Sequence, residues 1–134
     1  MDMNKWQSAK WVGWFSQQRL NCEPILRKVS QAAQSGSQKK EHKAFSEALQ
    51  ILPTVLENMK AAPELEGVDM TRLRELQGLY VQAVTLYIQA CELGMRQISG
   101  QIPPQYYEIR SKISLADSYW QSAAAKTHQL FSGE

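Results

Sequence analysis

The sequence lacks a strong charge of either sign: 15 Lys and Arg stand against 13 Asp and Glu over 134 residues, a formal net charge of +2. Dedicated nucleic-acid binders carry a heavier basic bias, so no nucleic-acid partner is expected. Long apolar runs are missing too; nothing approaches the roughly 18 residues that a transmembrane helix needs. The opening Met1-Asp2-Met3-Asn4-Lys5-Trp6 has no basic stretch followed by an apolar one. It does not read as a secretion signal, and a cytoplasmic location is expected. There are only two cysteines, Cys22 and Cys91, far apart and outside any metal-binding spacing. They read as reduced core thiols.

Chemistry-bearing groups are equally sparse. The two histidines are His42, set among Lys39, Lys40 and Lys43, and His128, which falls off the apolar arc of its segment. Both read as solvated. Di-iron bundles place Glu-x-x-His on inward faces, and no such pair occurs here. The carboxylates are expected to lie off the core stripes. Phosphotransfer bundles carry their histidine in mid-helix with a lysine soon after. Here Phe131 stands where that lysine would be, and the sequence ends three residues later. No glycine-rich phosphate loop is present. Catalytic, cofactor-binding and metal-binding residues are therefore all expected to be absent, and no cofactor is expected.

What is present is helical periodicity. Hydrophobic residues make up 43% and charged residues 21%, as in ordinary globular proteins, and the length suits one domain over residues 1–134. Apolar positions recur at steps of three and four along Tyr106, Ile109, Ile113, Ala116, Trp120, Ala123, Thr127 and Leu130. Pro104 suits the first position of that helix. A second stripe runs through Leu73, Leu76, Tyr80, Val84, Tyr87, Cys91, Gly94 and Ile98, with Asp69 as expected N-cap and Gly100 just past the end. A third, Phe45, Leu49, Leu52, Leu56 and Met59, passes Pro53 without losing phase, which predicts one helix over about 40–61. The first helix is read over about 4–34, from Trp11, Trp14, Phe15, Cys22, Ile25, Leu26, Val29, Ala32 and Ala33, with a bend expected near Pro24. No stretch alternates with period two. The expected fold is all-α, an antiparallel up-down four-helix bundle.

Some apolar surface exceeds what one bundle seam uses. Leu79, Leu86 and Leu93 form a seven-residue repeat displaced from the main stripe of the third helix. Either that helix is the most buried of the four, or the row meets a second copy in a homodimer. On the first helix, Trp6, Ala9, Gly13 and Leu20 fall away from the main stripe and suggest a similar contact. Trp6, Trp11 and Trp14 beside Lys5 and Lys10 also suit a membrane-surface helix, but two of those tryptophans are already expected in the core. Gln18 sits on a core arc, as a residue reaching water at the bundle end, a buried register-fixing amide or part of a small pocket.

An up-down bundle would gather Arg27, Lys28, Lys39, Lys40, Lys43, Arg96, Arg110 and Lys112 at one end. Glu41, Glu47, Glu92 and Glu108 lie there too, leaving a surplus of +4 at that end. Either the end is simply solvated or it receives an acidic partner or anionic ligand. The functional expectation is a non-enzymatic, self-associating helical module that binds another protein, as an adaptor, immunity factor or chaperone does. The alternative is a small-ligand or sensory bundle with a pocket lined by Trp11, Trp14, Gln18, Tyr80, Tyr87 and Trp120.

Overall fold

Four helices follow the four stripes: α1 (Met3–Ser35), α2 (Gln38–Lys60), α3 (Thr71–Ile98) and α4 (Tyr106–Phe131). A computed structural model describes residues 3–131, with side chains described for residues 7–130. The helices α1 and α3 stop for a local reason. Gly36 and Gly100 take φ of 69° and 78°, a left-handed conformation that costs glycine little. The Ser37 hydroxyl accepts the Lys40 N–H at 3.3 Å, satisfying one of the orphan donors that open α2.

Two expected helix starts shift. Met70, not Asp69, occupies the N-cap position of α3, and its side chain makes no cap hydrogen bond. Asp69 stands one residue outside, where its carboxylate accepts the Thr71 N–H at 3.0 Å and the Thr71 hydroxyl at 2.7 Å. The carboxylate thus satisfies one of the donors that open α3, from one position earlier than expected. Pro104 lies two residues before Tyr106 rather than inside α4. The interior prolines behave as the unbroken phase indicates. Pro24 and Pro53 are exposed, and α1 and α2 continue through them. The carbonyls that lose an N–H partner belong to Leu20 and Leu49, four residues earlier.

The helices pack in a ring. Each touches its sequence neighbours, α1 closes onto α4, the α1–α3 diagonal is thin, and α2 and α4 do not meet among the described residues. Contacts across the seams fix the direction of each helix. The start of α4 reaches the end of α1, where Arg110 Nε donates to the Ala33 carbonyl at 3.2 Å. Its other end reaches the start of α3, where Lys126 Nζ meets Glu75 Oε2. Lys28 of α1 pairs with Glu47 of α2 at 3.6 Å. These pairings define an antiparallel up-down four-helix bundle.

The core is one cluster fed by all four helices, with Phe15, Phe45, Leu52, Leu76, Tyr80 and Tyr87 fully enclosed. Burying each such side chain contributes about 1.5–3 kcal/mol. Gly94 on α3 admits the Phe45 ring of α2 against its backbone, and a Cβ there would overlap the ring. Three positions depart from the expected stripes. Tyr106, in the first turn of α4, is 44% exposed; on α1, Trp14 is 37% exposed, and Val12, off the expected arc, is 2% exposed. The buried face of α1 is thus rotated towards Val12, because α1 must face both α2 and α4.

Candidate functional site

A large cleft opens at the end of the bundle where α2 passes into α3. Its wall is the loop after α2, and that wall is held at several points. Gln77 Nε2 donates to the carbonyl of Met59 at 2.8 Å and of Lys60 at 3.3 Å, adding a side-chain donor to the last carbonyls of α2. Arg74 donates to the Ala62 carbonyl at 3.2 Å. The indole N–H of Trp11 donates to the Pro63 carbonyl at 2.8 Å and ties the loop to α1. The cleft encloses about 1050 Å³ between α1 and this loop. Trp11 and Trp14 supply its aromatic side, Pro63 and Leu65 the loop side, and Lys10 and Glu64 the charged margin. Trp14 stands edge-on to Phe15 at 4.9 Å, so a core residue sets the pose of an exposed ring.

The expected six-residue aromatic pocket does not form. Trp11 and Trp14 line the open cleft, whereas Tyr80, Tyr87 and Trp120 lie inside the core at 6% exposure or less. Phe15 stacks on Tyr80 at 5.5 Å, and Trp120 meets Tyr80 edge-on at 5.3 Å, so these rings pack on one another. Gln18 is half-buried and outside the cleft. Trp11 is buried and Trp14 exposed, so these two tryptophans do not present one membrane-facing surface.

The buried thiols and phenols are held in their neutral forms. Burial pushes the Cys22 thiol up to about 11; burial, with the Glu92 charge adding, pushes Cys91 up to about 12. Neither supplies a thiolate at neutral pH, so neither is a ready nucleophile. Burial raises Tyr80, whose hydroxyl shares a hydrogen bond with Thr127 at 3.1 Å. Tyr87 is raised further, by burial and then by donating to the Asp117 carboxylate. His42 and His128 are exposed, as expected. Among the described residues no three His, Cys, Asp or Glu side chains are grouped to share a metal ion.

The expected contact residues separate. Leu79, Leu86 and Leu93 are half-buried and pack against the chain's own core. The wide apolar arc of α3 follows from its position, since it packs against both α2 and α4. Gly13 is half-buried, Leu20 is 52% exposed, and Trp6 falls outside the described side chains.

The basic end forms where the topology requires. Arg27, Lys28, Lys39, Lys40, Lys43, Arg96 and Arg110 are exposed there, and Lys112 is half-buried. Its acids are not all on the surface, however. Glu41, expected off the core, is 3% exposed in the first turn of α2. It precedes Ala44 by three residues and Phe45 by four, so its place on the apolar face was written in the spacing. Gln97 is likewise buried, and its side-chain oxygen accepts the Gln105 N–H to close the α3–α4 connection.

Burial raises the Glu41 carboxyl above its ordinary range, with the Arg110 charge partly opposing. The folded chain therefore takes up this proton at higher pH than the unfolded chain does. Stability from this group is highest below the ordinary carboxyl range and declines as pH rises through the raised value. Glu41→Gln is expected to raise the melting temperature at neutral pH and to flatten that decline. An unchanged or lower neutral-pH melting temperature would show that the charged form is fully compensated.

Among the described residues no helix is long and apolar enough to cross a membrane. Compared with family models, curated proteins and solved structures, the chain matches none.

Proposed function

We propose that the chain is a non-enzymatic protein-interaction module of the adaptor, immunity or chaperone type, and that the cleft between α1 and the α2–α3 loop is its docking groove. The observation that carries this reading is Trp14, which is 37% exposed beside a loop already fixed by hydrogen bonds. Tryptophan contributes heavily to protein interfaces when a partner completes its burial. A fixed wall lowers the ordering cost of binding. The groove is open, which suits an apolar peptide or helix face better than an enclosed small molecule. Two free, buried cysteines support a reducing, cytoplasmic setting. Self-association belongs to the same proposal, supported by Leu20 on α1 and by Leu115 at 49% exposure on α4.

Affinity capture with the tagged chain, read by mass spectrometry, is expected to retain a defined protein, either a heterologous partner or an untagged copy. Trp14→Asp is expected to lose it by tenfold or more while the helical circular dichroism persists, on the order of the loss when an interface tryptophan is removed. Equal retention by the variant would remove the groove from the proposal.

A further inference from the structure

We infer that the opposite end of the bundle, at the α1–α2 turn, is a second docking surface and takes an acidic segment of a partner protein. A cleft of about 320 Å³ lies between the last turns of α1 and the first turns of α2. Two small buried residues, Ala32 and Ala44, form its floor, so a ligand backbone can come close. Lys28, Lys40 and Lys43 rim it. Lys28 is engaged by Glu47 at 3.6 Å, while no described carboxylate pairs with Lys40 or Lys43. Three residues apart, those two lysines share a helix face. The acid between them, Glu41, is turned into the bundle, so it does not neutralise them at the surface.

The chemistry favours several carboxylates along a chain over a single compact anion. The cations are flexible ammonium groups distributed over two helices, with no forked guanidinium to grip a phosphate from two sides. The N–H of Lys40 is already taken by the Ser37 hydroxyl, which leaves the start of α2 less open to a compact anion. The cleft has no aromatic residue on which a nucleic-acid base could stack.

A fluorescently labelled Glu- and Asp-rich peptide is expected to bind the full chain at low salt, read by anisotropy, and to be released as salt rises. The double variant Lys40→Glu and Lys43→Glu is expected to weaken binding on the order of tenfold. Acidic residues suit the first turns of a helix, so this variant should stay folded, which circular dichroism checks. Glu47→Gln frees Lys28 and is expected to tighten binding. Glu57→Gln makes the same change in net charge, and likewise frees a lysine, Lys60, at the other end of the bundle, and is expected to leave it unchanged. Equal tightening by the two glutamines would reduce the effect to net charge and overturn the site. So would absence of binding at low salt, or an oligonucleotide of equal length binding more tightly than the peptide. Capture through Trp14 is independent of these outcomes, so the two surfaces can fail separately.

Discussion

Phe15→Ala is expected to remove about 3–5 kcal/mol of stability, a large share of the 5–15 kcal/mol typical of a whole domain. The side chain is fully enclosed. It touches three aromatic neighbours, Trp11 at 4.6 Å, Trp14 at 4.9 Å and Tyr80 at 5.5 Å between ring centroids. Alanine would leave a cavity that rigid rings cannot easily close. The same change should loosen Trp14, because that indole leans on the Phe15 ring, so groove binding should fall as well. Leu20→Ala, on an exposed position of the same helix, should stay within about 0.5 kcal/mol. Urea melts that gave both variants equal losses would place the α1 core elsewhere.

Gly94→Ala should be destabilising by about 2–3 kcal/mol, against the usual sense of a glycine-to-alanine change inside a helix. Helix propensity alone favours alanine by about 1 kcal/mol. Here the added carbon would overlap the Phe45 ring, which is fully buried and has nowhere to retreat. Gly78 provides the contrast on the same helix: nothing lies within 4 Å of a Cβ placed there. Gly78→Ala should therefore follow propensity and gain up to about 1 kcal/mol. Adding Phe45→Leu to Gly94→Ala should recover part of the loss, the coupling expected of residues in contact. If Gly94→Ala and Gly78→Ala moved the melting temperature the same way, the close approach of α2 and α3 would be wrong.

The helices were legible because each pattern repeats over many turns and each end carries its own chemistry. Gly36 and Gly100 marked ends that backbone sterics enforce, and the unbroken phase across Pro24 and Pro53 correctly indicated continuous helices. The basic end was legible because short connections between antiparallel helices dictate which termini meet. The groove was not. It depends on how residues 61–70 fold back, and that path is set by Gln77, Arg74 and Trp11, groups distant in sequence from the carbonyls they hold. Trp14 was misplaced for a related reason: an apolar arc records how much surface is buried, but not its rotation between two neighbouring helices. Glu41 was misplaced because its charge was weighed above its spacing.

The ring order of the helices has a kinetic meaning. Three of the four seams join helices that are consecutive in the chain, so each can form as a hairpin with little loop-closure entropy. The fourth joins α1 to α4, and its Arg110–Ala33 contact spans 77 residues of chain. That seam bears the entropic cost of closing the barrel. It is expected to be the last to form as the hairpins condense, which amide exchange would read as lower protection along the α1–α4 seam.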